Sequence, residues 1–225
     1  AMIVCADADL ERAANGAVFN SMLNTGHVCM GVERIYVVES VADELERLVE
    51  EKARAVRYAG ADSDEVSEIG ALFWDRQLPI IERHVEDART KGADVVVGGE
   101  AVKNGGLFYK PTFIKNVDHS MDIMKLETFG PIVSIMRVKD EDEAIRMAND
   151  SDYGLTGSVW TNDDEKGIAI AKQLEAGSVH INDASMSYGV LEAPFGGMKQ
   201  SGLGREGSTE GIYEFCETQY IAADW

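Results

Sequence analysis

Residues 132–181 read IVSIMRVKDEDEAIRMANDSDYGLTGSVWTNDDEKGIAIAKQLEAGSVHI. Three short runs in this stretch, Ile132 to Val138, Ser158 to Thr161 and Ser178 to Ile181, carry the apolar and β-branched residues of strands. Two polar–apolar stretches, at about Glu141 to Asn149 and Asp164 to Leu174, separate them and carry helical spacing. Strands alternating with helices of this length predict βαβ units and a mostly parallel sheet. Right-handed crossovers then place the loops after the strand carboxyl ends along one rim, where α/β proteins usually bind ligands.

The same grammar extends upstream. Ala1 to Val4 reads as a short buried strand, followed by a helix that Asp7 or Asp9 caps, with Leu10, Ala13, Ala14, Ala17, Val18 and Met22 on one face. Gly26 supplies its stop. Arg34 to Val38 is β-rich, and Ser40 precedes a long helix with Val41, Leu45, Leu48, Val49 and Val56 together. Another helix is expected from about Asp75 to Lys91, then a buried strand at Ala93 to Val97 closed by Gly98-Gly99, and a strand at Phe113-Ile114. At the far end Glu217 to Ala222 alternates as an edge strand would, and an unpaired edge is an association site. The expected architecture is α/β: an open, mostly parallel sheet with flanking helices over residues 1–210, and a tail strand within 211–225 that serves oligomerisation.

The 225 residues are enough for one large domain or two small ones. With 45% hydrophobic and 27% charged residues the composition is that of a soluble globular protein. No apolar run approaches the ~20 residues that cross a bilayer, and no basic-then-apolar leader opens the chain. A net charge of -19 argues against nucleic acid and anionic membranes as partners. Cys5, Cys29 and Cys216 are odd in number and widely spaced, which points to a reducing cytoplasm, with no disulfide framework and no metal site.

Gly202-Leu203-Gly204-Arg205-Glu206-Gly207 matches the GxGxxG dinucleotide fingerprint. That fingerprint needs a strand before it and a full βαβ unit after it. The residues ahead, Met198 to Ser201, are mostly polar, and only 18 residues follow. The run is therefore read as a tight turn, not as a phosphate cradle.

Six further segments fall in one order along the chain. They are Asn24-Thr25-Gly26-His27-Val28-Cys29, Tyr109-Lys110-Pro111-Thr112, Leu126-Glu127-Thr128-Phe129-Gly130-Pro131, Asn149 to Thr156, Gly177 to Asn182, and Pro194 to Gly202. In this order they resemble signatures of the NAD(P)-dependent aldehyde dehydrogenase superfamily. The resemblance covers nearly the whole chain but only the C-terminal, catalytic-domain half of the family's usual length.

The resemblance implies a chemistry. Cys29 matches the nucleophile, whose thiolate attacks an aldehyde to form a thiohemiacetal that becomes a thioester after hydride loss. An ordinary thiol has a pKa of ~8.5, so a helix start or a nearby cation must favour the anion. The Cys29 N–H would donate to the developing oxyanion. Glu127 matches the carboxylate that holds the nicotinamide ribose hydroxyls, a task suited to a two-oxygen acceptor. Phe129 matches the aromatic beside the nicotinamide ring. The implied cofactor is NAD or NADP, and the implied partners are a small aldehyde and further copies of the chain. Asn182 and Phe195 border the family's active-site region without an assigned role. His27 departs from the usual glutamine; it reads either as half of a Cys–His pair or as a hydrogen-bonding substitute. The family's general base, nucleotide domain and oxyanion asparagine would lie upstream, so the chain alone is expected to be a poor dehydrogenase. The alternative is a non-catalytic assembly module or decayed fragment.

Overall fold

The computed structural model describes residues 1–58, 66–102, 106–184 and 189–224. The first strand, β1 (Met2–Val4), leads through helix α1 (Leu10–Met22) to β2 (Ile35–Val38) and α2 (Glu39–Ala55). Then come α3 (Gln77–Thr90), β3 (Asp94–Val97), β4 (Thr112–Lys115), β5 (Ile132–Val138) and α4 (Glu141–Asn149). The chain ends through β6 (Tyr153–Gly154), β7 (Thr156–Trp160), α5 (Asp164–Ala171), β8 (Ser178–Ile181), β9 (Met198–Lys199) and α6 (Ser208–Tyr213).

Seven strands form one sheet in the order β3-β4-β5-β2-β1-β7-β8, and every neighbouring pair is parallel except β3–β4. β1 lies inside it, with Met2 opposite both Ile35 and Ser158. Side-chain alternation divides the core into two layers. Met2 and Val4 face α1 and α2, where Ala14, Ala17, Leu45 and Val49 are buried. Ile3 faces the opposite layer, with Ile81 and Val85 of α3, Ala144 of α4 and Ile170 of α5. Helices thus cover both faces, which a parallel sheet requires because each of its faces is apolar.

Local chemistry sets the helix starts. Asp9, Asp140 and Asp163 each accept a bond from the N–H three residues on, satisfying a donor with no partner inside the helix. One ion cluster fastens α2 to the sheet. The Arg137 guanidinium of β5 grips buried Glu46 of α2 through Nε and Nη2, each at 2.7 Å, and also reaches Glu39 and Asp43. Lys115 of β4 adds a second cation, at 3.3 Å from Glu46.

Two sequence expectations need correction. β3 is not a buried strand. It is the sheet edge, antiparallel and half-exposed, because only β4 pairs with it. The helix expected to reach Leu174 stops at Ala171. Residues 217–222 form no strand within a single chain and are exposed on both faces, as alternation without a pairing neighbour must be.

Candidate active site

Helix α1 runs back from the carboxyl end of β1, so the chain that follows it emerges at the amino-terminal rim of the sheet. The turn Leu23–Gly26 is unusual: Asn24, Thr25 and Gly26 all have positive φ, at 51°, 61° and 78°. Side chains compensate for the two non-glycine residues there. Asn24 Nδ2 donates to the His27 carbonyl at 3.1 Å, and Gly70 N–H donates to Thr25 Oγ1 at 3.1 Å. Ser21 Oγ donates to the Val32 carbonyl at 2.7 Å, closing the loop onto the end of α1. Gly26 admits no substitute without movement, since a Cβ there would sit 2.1 Å from the Gly130 carbonyl oxygen. Two loops a hundred residues apart therefore meet backbone to backbone.

Cys29 follows this turn and is exposed. It lines an open pocket of about 270 Å³ together with Glu33, Arg34, Lys125, Glu127 and Tyr153. Those residues lie ahead of β2, ahead of β5 and at the entry to β7. The pocket thus opens at the amino rim of the parallel strands, not at the carboxyl rim where ligands were expected. The reason is topological: each of these residues sits in the connection that enters a strand. No helix starts at Cys29. α1 ends at Met22 and turns its carboxyl end toward this loop, while Arg34 and Lys125 supply cations to the pocket wall.

Glu127 shares the pocket with Cys29. Desolvation pushes its carboxyl up, and although the residue is exposed its oxygens accept no hydrogen bond among the described residues. Phe129 stands one step back, at φ 52°, with its ring 5.5 Å from His27. The His27 ring also meets Phe73 edge-on at 5.1 Å. Burial lowers its pKa, and its Nε2 has no partner among the described residues. His27 thus packs as an aromatic here, neither bonded to the Cys29 sulfur nor standing in for a glutamine amide.

Glu33, four residues past Cys29, escaped the sequence reading because a lone carboxylate before a strand has no diagnostic spacing. Its Oε1 accepts from Phe129 N–H at 2.9 Å and its Oε2 from Thr128 N–H at 3.2 Å. Burial pushes its carboxyl up to about 7 against the pull of those two bonds, and neighbouring Glu127 adds to the rise.

The remaining expected residues lie elsewhere. The Asn182 side chain brackets Thr161, accepting from its N–H at 3.0 Å and donating to its carbonyl at 2.8 Å, past the carboxyl end of β8. Phe195 pairs with Glu206 and lines a second pocket built from Gly196 to Gly207. The GxGxxG run follows a two-residue antiparallel strand and leads into the six-residue α6, so it lacks the βαβ setting of a dinucleotide fingerprint. Cys5, Asp7 and Glu141 place ligand-type atoms within 4.8 Å of one another, but the Lys166 ammonium already bridges the two carboxylates, at 3.1 and 2.5 Å.

Comparison with known proteins adds to this geometry. The model of the aldehyde dehydrogenase family matches residues 1–221. A putative succinate-semialdehyde dehydrogenase [NADP(+)] of Mycobacterium ulcerans is 41% identical over 224 residues, which are 99% of this chain and 43% of that protein. A crystal structure of an NAD-dependent aldehyde dehydrogenase from Sinorhizobium meliloti superposes with a TM-score of 0.89 at 35% identity, over 95% of this chain and 42% of that one. Betaine aldehyde dehydrogenase from Staphylococcus aureus, solved with NAD+, gives 0.88 at 36% identity, over the same 95% and 42%. The chain spans less than half the length of each of these relatives.

Proposed function

This chain belongs to the aldehyde dehydrogenase family, and we propose that it carries the nucleophile and the nicotinamide-side contacts of an NAD(P)-dependent oxidation of an aldehyde to a carboxylic acid. The observation that carries the reading is one shared pocket holding an exposed thiol, Cys29, and an exposed carboxylate, Glu127, whose oxygens accept no hydrogen bond among the described residues. A carboxylate with both oxygens open to the pocket accepts two hydrogen bonds in fork geometry, and a ribose diol supplies two donors. Phe129, next but one in the chain, stands one step back with its ring against His27.

In this reading the Cys29 sulfur, as thiolate, adds to the aldehyde carbonyl carbon, and the carbonyl electrons move onto oxygen. Backbone N–H groups of the turn and the cations Arg34 and Lys125 offset that developing charge. A nicotinamide dinucleotide held by Glu127 and Phe129 would supply the hydride acceptor that turns this adduct into the Cys29 thioester. Water then cleaves the Cys29 thioester, releasing acid and restoring the thiol. Glu127 holds and orients throughout and exchanges no proton with substrate.

The test is hydrolysis of p-nitrophenyl acetate, which needs the nucleophile but no dinucleotide. Cys29→Ala should lower the rate by about two orders of magnitude or more, the scale of losing a covalent nucleophile, while Cys216→Ala leaves it unchanged. An undiminished rate in Cys29→Ala would show that Cys29 is not the nucleophile.

A further inference from the structure

Glu33 joins the two halves of this pocket. It departs from the Cys29 loop just before β2 and spends both carboxylate oxygens on the loop that carries Glu127, one on Thr128 N–H and one on Phe129 N–H. Thr128 is held on its other sides as well. Gln77 Nε2 donates to its carbonyl at 2.7 Å, and its Oγ1 bonds His84 Nδ1 at 3.0 Å. Phe129 sits at φ 52°, a left-handed conformation that side chains adopt only where their surroundings impose it. Two successive N–H groups pointing the same way need two acceptors on one rigid plane, which a carboxylate supplies and a hydroxyl or amide does not. Glu33 is partly buried, and burial opposes its charge while the two N–H bonds favour it. Packing alone gives no reason for the choice.

We propose that Glu33 is a positioning residue whose forked carboxylate holds the Thr128–Phe129 backbone so that Glu127 enters the Cys29 pocket, setting affinity for the dinucleotide and leaving the sulfur chemistry unchanged. The inference rests on the reading of Glu127 and Phe129 as cofactor contacts. Glu33 itself touches neither the cofactor nor the aldehyde in this scheme.

The experiment compares Glu33→Ala and Glu33→Gln with the parent in the enzyme form that turns over aldehyde. Hydrogen exchange of the 126–130 segment is read beside that of β5, and dinucleotide KM beside kcat and the Cys29 alkylation rate. Glu33→Ala should speed exchange at Thr128 and Phe129 by about tenfold or more with β5 unchanged, the loss of a buried acceptor. Glu33→Gln, with one acceptor left, should fall between, and it serves also if the alanine variant fails to fold. Dinucleotide KM should rise about tenfold, with kcat and alkylation within about twofold, because only ground-state positioning is lost. Unchanged exchange at 126–130 overturns the proposal, as does equal acceleration throughout the sheet, which would mean general loosening. Faster loop exchange with an unmoved KM keeps the clamp and removes Glu127 and Phe129 from the cofactor site.

Discussion

At the scale of single residues, three cysteines show how placement decides reactivity. Cys5 ends β1 and is fully buried, and desolvation pushes its thiol up to about 12. Nearby Lys166 opposes that rise without cancelling it. A thiol in this state carries almost no thiolate between pH 7 and 9, and alkylation needs the thiolate. Brief iodoacetamide treatment at pH 8 should therefore label Cys29 and Cys216, both exposed, and leave Cys5 untouched until the fold is melted. Mass spectrometry of the digested protein reads all three at once. Labelling of Cys5 and Cys216 with Cys29 spared would remove the premise on which the nucleophile assignment stands. The residue scale is also where sequence reading stopped short. Cys29 and Glu127 were visible because each lies in a recognisable run. Glu33 was not, since its significance arises only when a loop ninety-five residues later folds against it. His27 invited pairing with a thiol two positions away, yet the ring turns into Phe73 and Phe129.

At the scale of elements, the ion cluster between α2 and the sheet makes a quantitative prediction. Glu46 is buried, and Arg137 is its principal partner. Removing one member leaves the other charge in a poorly solvated place, which costs about 3–5 kcal/mol, whereas removing both is far milder. Arg137→Met should lower the denaturant midpoint markedly, and adding Glu46→Met should restore most of the loss. A single-variant change below about 0.5 kcal/mol would show that solvent already screens the cluster. Elements were the most legible part of the fold. β5, α4 and β8 lie where their spacing put them, because a clean change of period and a capping aspartate mark the boundaries. β3 misled because a run of three valines reads as buried whether its strand is central or at the edge; only the pairing order decides. The site's position on the rim was implicit in the chain order, as Cys29 follows a helix and precedes a strand. The usual rule for α/β ligands outweighed that detail.

At the scale of the whole molecule, two opposing forces govern association. Leu203, Ile212, Tyr213, Phe215, Tyr220 and Ile221 are all exposed in the last quarter of the chain, and Phe73 and Trp74 are exposed near the pocket. Apolar surface of this kind favours contact with another surface. The net charge of -19 resists it through self-repulsion that salt screens. Light scattering should therefore show a mass that rises as ionic strength goes from about 0.02 to 0.5 M, over which the screening length shrinks several-fold. A single-chain mass throughout that range, at high protein concentration, would mean that these residues do not associate. No helix among the described residues is long and apolar enough to cross a membrane. The sheet order has one more consequence. β1 lies between partners centred on residues 36 and 159, so the strand made early waits for one made late. At about 5–20 residues per second, a ribosome needs roughly 8–30 s to travel from Val4 to its partner Trp160. Through that interval Met2, Ile3 and Val4 have a bare flank, and the yield of folded chain during translation depends on whatever shields it.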